Sequence, residues 1–458
     1  MTDNRIENIY PQSPGQRAMF LETLSAPGSG INVIQLVWTL SGAMNVFAFE
    51  QAWQRIEAKH PILRTLFVLT KQDKALQVVR SRPALSLFTQ DWRVLSEADQ
   101  RDRLTALSRE DAQRGFDLTR VAPIRLYLIQ VSGEEMWFVW SIHHMLLDRW
   151  SLSIVVQELF ACYEAFSKGQ RVLLGPSRSY GEYAAWLQSQ DAGQGETFWR
   201  RELNGWKTPT ALDWAVKPEH ARALPGTVGL MAVHYITLSA PLTKRIEAMA
   251  RANRLTLASI LQGVWALVLS QYGDSTDVVF GTVVSGRSIP FPGIGTVVGP
   301  FLNVLPMRVV VAPGEPVGSW LQTVQDKQMA ISQYEYCPLT QVHAWSEIPP
   351  GTHLFGSMVD LVNYTVQAFS TELGAGLKNT AHRSVENVGI PISVLAYPGA
   401  HLKLEISYNE CLLDARAMIN ALGSVARLLE GIAERPGARV SDLLEREFVN
   451  SMAGATVA

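Results

Sequence analysis

Two adjacent histidines, His143 and His144, follow an apolar run, and an aspartate, Asp148, lies four residues after the second. On an extended backbone, neighbouring side chains point to opposite faces, so one histidine can face a cavity while the other is buried behind it. An imidazole titrates near pH ~6.5 and can exchange a proton at neutral pH. The pair therefore suits general-base or hydrogen-bonding work on an amine nucleophile.

The segments on either side of the histidines predict how they are held. Residues 123–130 and 136–142, joined by a turn at Ser132-Gly133, are typical of a β-hairpin. Apolar residues then repeat at helical spacing from Leu152 to Tyr163, and Lys168-Gly169 ends the pattern. The histidines are thus predicted to lie where a strand gives way to the N-terminus of a helix.

Strands and helices also alternate elsewhere in the chain. Ser13 is followed by a proline and, three residues on, by Gln16, a pattern that predicts the start of a helix. Further helices are predicted after Asn45 and over residues 241–253 and 256–272, and strands over residues 31–40, 233–238 and 277–284. The 256–272 helix is apolar nearly all round, so we expect it to be buried. This alternation predicts an α/β or mixed α+β fold.

Length and a short internal repeat predict two lobes. The chain has 458 residues, which is enough for more than one hydrophobic core. Residues 39–44 and 237–242 both begin Thr-Leu-Ser, and each segment ends a strand and precedes a helix. This weak repeat fits two similarly built lobes. We place the N-terminal lobe, which carries the histidines, at residues 1–175 and the C-terminal lobe at residues 176–458.

Composition narrows the classes of function. The net charge is -2 and the Lys and Arg residues are scattered, which favours neither a nucleic acid nor an anionic membrane as a partner. Cys162, Cys337 and Cys411 form no C-x-x-C motif, which argues against a disulfide framework or a zinc site, and Cys162 lies on an apolar helix face expected in the core. Neither a signal peptide nor a run of about 18 apolar residues occurs. We expect a cytoplasmic protein, or a piece of one.

Several segments, taken in chain order, resemble the motifs of condensation domains of nonribosomal peptide synthetases. The stretch from Ser141 to Ser151 resembles the signature of that family, except that Arg149 stands where the family usually has glycine. Together the matching segments span most of the chain, and their order makes the resemblance strong. The other matching segments are residues 10–20, 60–67, 115–118, 122–125, 183–187, 198–203, 277–287, 298–306, 354–357, 362–364 and 402–408.

The resemblance implies a pseudo-dimer of two lobes, each like chloramphenicol acetyltransferase, that form a V with a central tunnel. A donor thioester would enter from one end, and an aminoacyl thioester on the phosphopantetheine arm of a carrier protein from the other. The product would be an N-acyl aminoacyl thioester. Two features favour the starter subtype, which acylates the first amino acid of the product. They are the segments around Trp53, Trp199 and Trp206, and the start of the domain at Met1.

The implied partners follow from that reaction. They are an acyl-CoA or acyl-carrier donor, a downstream aminoacyl carrier protein and an adenylation domain, and we expect a monomer. The domain would bind no cofactor of its own, because phosphopantetheine and coenzyme A are carriers of the substrates.

The resemblance also implies roles for the residues of the motif. His144 would face the tunnel, orient or deprotonate the attacking α-amine and stabilise the tetrahedral intermediate, while His143 would support the loop. Asp148 would cap the next helix, or pair with Arg287, with Arg64 as an alternative partner. His143, His144 and Asp148 do not converge on one face of a strand or helix, so we expect no metal site.

Arg149 adds a long charged side chain beside the expected position of the reacting carbonyl. If it points into the donor tunnel beside Met145 and Trp150, it would shorten the acyl chain that fits, because an unpaired buried charge is costly. The donor would then be short, such as acetyl. Alternatively, Arg149 turns outward or pairs with an acid and leaves the tunnel open. Ser357 and Asn363 match positions near the tunnel of the family and serve either substrate contact or packing.

Other functions stay open at this point. A non-catalytic docking module of the same fold is compatible with the missing glycine. An epimerisation domain shares the double histidine, but its additional glutamate motif has no clear match here. A free-standing O-acyltransferase is a further alternative.

Overall fold

The computed structural model describes residues 5–82, 85, 87–217, 231–362, 372–386 and 389–446. Its strands, in chain order, are β1 (Ile6–Pro11), β2 (Val33–Ser41), β3 (Thr65–Leu69), β4 (Ala75–Arg80), β5 (Leu87–Asp91), β6 (Ile124–Gln130), β7 (Glu135–His143), β8 (Met231–Thr237), β9 (Asp277–Val284), β10 (Asn303–Val310), β11 (Ser357–Leu361), β12 (Glu372–Gly374), β13 (Leu377–Glu386), β14 (Ile392–Tyr397) and β15 (Lys403–Asn409). Its helices are α1 (Pro14–Ser25), α2 (Val46–Lys59), α3 (Glu97–Arg114), α4 (Arg149–Ser167), α5 (Tyr180–Gln188), α6 (Ala192–Glu202), α7 (Ala240–Ala252), α8 (Leu257–Gly273), α9 (Val317–Ser332), α10 (Leu339–Trp345) and α11 (Ala415–Glu434).

The chain divides into two compact units, and each contains a six-stranded sheet with helices packed on it. Unit 1 consists of residues 1–190, 290–301 and 364–388, and unit 2 of residues 191–289, 302–363 and 389–458. The mixed α/β class and the presence of a sheet in each half are therefore confirmed. The boundary predicted near residue 175 differs from this division, because unit 1 continues to Gln190 and takes in two later segments.

The large sheet of unit 1 explains why residues 372–386 belong to this unit. Its strand order is β12-β13-β2-β7-β6-β5, and the predicted hairpin is formed by β6 and β7. Strand β13 runs antiparallel to β2, with Lys378 opposite Ser41 and Arg383 opposite Val37. A strand with one open edge leaves backbone N–H and C=O groups without partners, and β13 satisfies those of β2. A second, smaller sheet has the order β1-β4-β3.

The two faces of β7 pack against different helices. Phe138 and Trp140 point to the side of α2 and α4, where Phe138 meets Phe49 at 5.2 Å and Trp140 meets Trp53 at 5.0 Å between ring centroids. Val139 points to the other side and packs in a cluster with Leu104 of α3. Because side chains alternate along a strand, His143 lies on the same side as Val139, and the next residue belongs to the opposite side.

Unit 2 is built around a sheet of order β10-β9-β11-β14-β15-β8. Every residue of helix α8 from position 260 to position 270 is buried, as its apolar sequence predicts. Helix α11 covers the same core with an apolar stripe that includes Leu422, Val425 and Leu429. Within the described residues, no single helix is long and apolar enough to cross a bilayer, although α7 and α8 reach that composition together across a bend of 104°.

Replacing Gly263 with alanine tests how tightly α8 is packed. A Cβ at that position would overlap Cδ2 of Leu321 and lie 3.2 Å from the ring of Trp320. Alanine favours a helix by ~1 kcal/mol over glycine, but overpacking costs ~1–3 kcal/mol or more. We expect Gly263→Ala to lower the free energy of unfolding, as measured by urea denaturation.

The matched control is Gly15→Ala in α1, because a Cβ there meets nothing within 4 Å. We expect that variant to be as stable as the wild type or slightly more stable. Equal stabilisation by both substitutions would contradict the packing described for α8.

Candidate functional site

Strand β7 ends at His143, and backbone hydrogen bonds hold the residues that follow. The N–H of His143 donates to the carbonyl of Pro123 at 3.0 Å, and that of His144 donates to the carbonyl of Asn32 at 2.7 Å. Asn32 adopts a left-handed backbone with φ of 60°, a conformation that asparagine tolerates better than most residues. The backbone that presents His144 is therefore anchored at the end of β7 by the segments that lead into the neighbouring strands β2 and β6.

The ring of His143 is fully buried, and both of its nitrogens have partners. Nε2 lies 2.9 Å from Oγ1 of Thr23, and Nδ1 accepts the N–H of Met145 at 3.2 Å. The ring also meets Phe116 edge-on, with 6.4 Å between centroids. Burial, and after it the neighbouring imidazole of His144, lowers the pKa of His143 to about 3. These contacts make His143 a neutral residue of the interior and support the structural role predicted for it.

The ring of His144 is in a different environment. His144 is half-buried, and its Nδ1 is enclosed without a hydrogen-bond partner. Its Nε2 also has no hydrogen-bond partner among the described residues. Unlike Nδ1, however, Nε2 is not enclosed by the surrounding atoms, so a substrate can reach it. A polar atom that no protein group satisfies can be satisfied by a substrate. Of the two histidines, His144 is the one available for chemistry.

The unpartnered Nδ1 of His144 limits what the ring can do. In a catalytic triad, a carboxylate accepts the Nδ1 proton and stabilises the imidazolium that forms during general-base catalysis. No described carboxylate takes that position at His144. The arrangement is therefore suited to hydrogen bonding and alignment of a nucleophile more than to the formation of a stable imidazolium.

Asp148 is the N-cap of α4, as one of the two predicted roles requires. Its Oδ1 accepts the N–H of Ser151 at 2.7 Å, and its Oδ2 accepts the N–H of Phe301 at 2.9 Å. Ser151 in turn exchanges hydrogen bonds with the backbone of Gly299, at 2.7 and 3.0 Å. Asp148 thus joins the start of α4 to the segment 290–301 within unit 1. The pairing of Asp148 with Arg287 stays a prediction.

Arg64 does not serve as the alternative partner of Asp148. Its guanidinium donates to Oε2 of Glu7 at 2.6 Å and to the backbone carbonyls of Glu57, Ala58 and Arg80. Arg64 ends a short 3₁₀ turn that leads into β3, so its side chain is directed at the small sheet and α2. The prediction that Arg64 could pair with Asp148 was wrong, because Glu7 and nearby backbone carbonyls accept the hydrogen bonds of its guanidinium.

The three residues predicted to line the donor tunnel differ in exposure. Arg149 is the first residue of α4 and is half-buried. Trp150 is 37% exposed, and its indole N–H donates to the carbonyl of Gly295 at 3.1 Å. Met145 is fully buried, so its side chain packs inside unit 1. A tunnel wall has to be reachable by solvent, and the prediction for Met145 is therefore not supported.

The remaining predicted residues belong to unit 2. Ser357 is buried, and its hydroxyl accepts the indole N–H of Trp265 at 3.0 Å, which favours packing over substrate contact. Asn363 lies outside the described residues. Arg287 follows β9 in a loop whose next residue, Ser288, donates its N–H to the carboxyl of Glu335 at 2.5 Å. Burial raises the pKa of Glu335, although the N–H donors of this loop oppose the change.

The structure also shows supporting residues that sequence patterns did not reveal. Gln16, predicted only as part of a helix start, donates its amide N–H to the carbonyl of Met145 at 2.9 Å. Thr23 and Asn32 carried no motif signal at all. Among the described residues, no three His, Cys, Asp or Glu side chains come together in a way that could hold a metal ion.

Comparison with known proteins identifies the family. The condensation domain family matches residues 6–448. One of the proteins that make up the linear gramicidin synthase of Brevibacillus parabrevis is 35% identical over 448 residues, which cover 96% of this chain but only 9% of that protein. The chain therefore belongs to the condensation domains of nonribosomal peptide synthetases, and it spans less than a tenth of the length of this relative.

Two solved structures show the same fold at low sequence identity. A mutant of the starter condensation domain of rhizomide synthetase, in complex with C8-CoA and Leu-SNAC, has a TM-score of 0.79 at 20% identity and covers 94% of this chain and 96% of that one. The complex of the X-domain and OxyB from teicoplanin biosynthesis has a TM-score of 0.79 at 22% identity and covers 94% of this chain and 95% of that one.

The low pKa of His143 predicts how stability changes with pH. Above pH ~6.5 the ring is neutral in both folded and unfolded chains. Below that pH the unfolded chain binds a proton that the folded one refuses, so stability is lost as the pH falls. Relative to His143→Gln, whose side chain does not titrate, the wild type should lose about 2 kcal/mol of unfolding free energy between pH 6.5 and about 5.

Urea denaturation of both proteins at the two pH values measures this difference. The comparison with the variant cancels the contributions of the carboxylates that also titrate in acid. Equal losses in the wild type and in His143→Gln would show that His143 is protonated in the folded protein.

Proposed function

We propose that this domain joins an acyl thioester to the α-amino group of an aminoacyl thioester carried on phosphopantetheine, and that it acts as a starter domain. Condensation domains form amide bonds, and family membership supports that part of the proposal. The observation that carries it is the contrast between the two histidines. His143 has both ring nitrogens satisfied and is neutral, whereas His144 has a reachable Nε2 without a partner among the described residues.

The reaction requires one new bond and one broken bond. The amine nitrogen attacks the thioester carbonyl carbon, a C–N bond forms, and the C–S bond breaks from the tetrahedral intermediate. The proton lost by the amine leaves with the thiol of the carrier. Nε2 of His144 would accept a hydrogen bond from the attacking amine, so that the nitrogen lone pair is aimed at the carbonyl.

Magnitudes favour alignment over proton transfer in this reaction. Holding two reactants in a reactive geometry can supply ~7–11 kcal/mol of the barrier. A positioned base contributes roughly 10²–10⁴-fold in rate. A thioester is already activated, and Nδ1 of His144 has no described carboxylate to stabilise a positive charge. His144 is therefore expected to matter mainly as a hydrogen-bonding group that orients the amine.

The starter assignment concerns the source of the acyl group. It draws on the structural likeness to a starter domain that was solved with C8-CoA and Leu-SNAC. We propose that an acyl-CoA or acyl-carrier thioester is the donor and that Arg149 shortens the acyl chain that fits. A downstream aminoacyl carrier protein and its adenylation domain would supply the acceptor, in the cytoplasm.

A docking module is the second candidate function. The likeness to an X-domain that was solved in complex with OxyB favours it, because that structure shows the same fold bound to a partner. The two candidates differ in one observable property, which is whether amide product forms when both thioesters are supplied. Binding of a carrier protein without product would support the docking module.

Removing the imidazole of His144 tests the proposed reaction. We expect His144→Ala to slow amide formation by about 10²-fold without abolishing it, because the amine loses the hydrogen bond that orients it while alignment by the rest of the domain persists. Mass spectrometry of an aminoacyl carrier protein incubated with acyl-CoA measures the product. The control is His401→Ala, since His401 lies on the surface of unit 2 and its ring is hydrogen-bonded to the carbonyl of Leu238. Full activity of His144→Ala would remove this residue from the mechanism.

Truncation of Arg149 tests the donor preference. We expect the wild type to prefer short acyl-CoA donors such as acetyl-CoA, and Arg149→Ala to accept longer chains, because the substitution removes a long charged side chain at the start of α4. A ladder of acyl-CoA lengths, read by mass spectrometry, gives the preference of each protein. Arg120→Ala is the control, since Arg120 is exposed and pairs with the exposed carboxylate of Asp117. An unchanged preference in Arg149→Ala would rule out a gate at this position.

A further inference from the structure

We propose that helix α1 positions the catalytic imidazole of His144, and that Thr23 and Gln16 are the positioning residues through which it acts. The inference rests on the proposed function, because it assigns a purpose to the orientation of His144. It concerns two residues that touch neither substrate nor the reacting ring. They act on the backbone of the loop that carries His144.

The first connection runs from α1 to that loop through the ring of His143. The hydroxyl of Thr23 donates its single proton to the carbonyl of Met19 at 2.8 Å. Its oxygen must therefore accept the hydrogen bond from Nε2 of His143, at 2.9 Å. Nε2 then carries the ring proton, and Nδ1 keeps the lone pair that accepts the N–H of Met145 at 3.2 Å. Thr23 thus selects the tautomer of His143 that can bind the loop.

The second connection runs directly from Gln16 to the same residue of the loop. The amide nitrogen of Gln16 donates to the carbonyl of Met145 at 2.9 Å and to Oε1 of Gln77 at 3.0 Å. Its amide oxygen accepts the N–H of Ser13 at 2.9 Å in the capping box of α1. Gln16 is fully buried, so water does not compete for these bonds. Gln16 of α1 therefore holds the carbonyl of Met145 directly, and the ring of His143, which Thr23 of α1 contacts, holds its N–H.

The hydrogen bonds at the N–H groups of His144 and Met145 fix the direction of the His144 side chain, and the bond from Gln16 to the carbonyl of Met145 holds the next peptide plane of the loop. A peptide group is planar, so the N–H of Met145 and the carbonyl of His144 belong to one rigid plane. The N–H of His144 belongs to the plane before it, and the carbonyl of Asn32 holds that plane at 2.7 Å. With both flanking planes anchored, the Cα–Cβ bond of His144 has one direction. A misplacement of about 1 Å in a reacting group can cost about 10²-fold in rate.

The low pKa of His143 agrees with this arrangement. A protonated His143 would have a hydrogen on Nδ1 and could not accept the N–H of Met145. Burial lowers the pKa of His143 to about 3, so the ring stays neutral and the connection stays intact under assay conditions.

Substitutions at Thr23 test the first connection. Thr23→Val removes the hydroxyl and keeps the shape, whereas Thr23→Ser keeps the hydroxyl. We expect Thr23→Val to lower kcat for amide formation by about 10- to 100-fold with little change in KM, and Thr23→Ser to restore kcat close to the wild-type value. The matched control is Thr105→Val, because Thr105 makes the same bond to the carbonyl four residues before it, at 2.9 Å, on the exposed face of α3. Wild-type kcat in Thr23→Val would overturn the inference.

A second pair of variants tests Gln16 against loss of stability alone. Gln16→Met removes the amide that holds Met145. Gln100→Met removes a similar buried amide, which donates to the carbonyls of Trp92 and Val131 far from the motif. We expect both variants to melt at lower temperature and only Gln16→Met to lose kcat. Equal losses of kcat in the two variants would overturn the positioning role.

An NMR measurement separates this inference from the proposed reaction. In protein labelled with ¹⁵N-histidine, the ring resonances report the tautomer of His143 and the environment of His144. We expect Thr23→Val to shift both sets and Thr105→Val to shift neither. A wild type that forms no amide would overturn the proposed function only, and unchanged His144 resonances in Thr23→Val would overturn the positioning role whatever the activity.

Discussion

The alternation of side chains along β7 is the constraint on which the rest of the site depends. Because successive residues of a strand face opposite sides, one histidine of the pair enters the interior beside α1 and the other is left on the opposite side. The ring of His143 is neutral and both of its nitrogens are hydrogen-bonded, whereas the ring of His144 has no hydrogen-bond partner among the described residues. Two identical side chains thus acquire different chemistry because the strand places them in different surroundings. A shift of the register between β2 and β7 by one residue would exchange them.

The local structure around the motif could be predicted because local interactions determine it. The caps formed by Ser13, Asn45 and Asp148, the β6–β7 hairpin and the buried helix α8 all follow from residues close together in the sequence. Helix α3 was not predicted, because it buries only Gln100, Leu104 and Asp111 and so has almost no apolar periodicity. The pairing of β13 with β2 joins segments more than three hundred residues apart, and no local pattern reports it.

The difference between local and long-range interactions also separates the predicted site residues from those that only the structure revealed. His144 and Asp148 lie within a recognisable motif, so their positions followed from the resemblance. Thr23 and Gln16 reach the motif across 120 and 129 residues of sequence, through single hydrogen bonds. A hydrogen bond between distant residues leaves no periodic trace in the chain. The prediction for Arg64 failed for the opposite reason. This residue was expected to reach the distant Asp148, but its guanidinium bonds to nearby groups, the carbonyl of Glu57 and the carboxylate of Glu7.

The return of β13 to the sheet of unit 1 has a consequence for how the protein is made. Translation proceeds from the N-terminus, and domains generally fold as units while the chain emerges. The sheet of unit 1 lacks its β13 strand until the ribosome has produced residue 386, by which time most of unit 2 has already been synthesised. During that interval β2 keeps an open edge, which is the kind of surface that recruits chaperones or mispairs with other nascent chains.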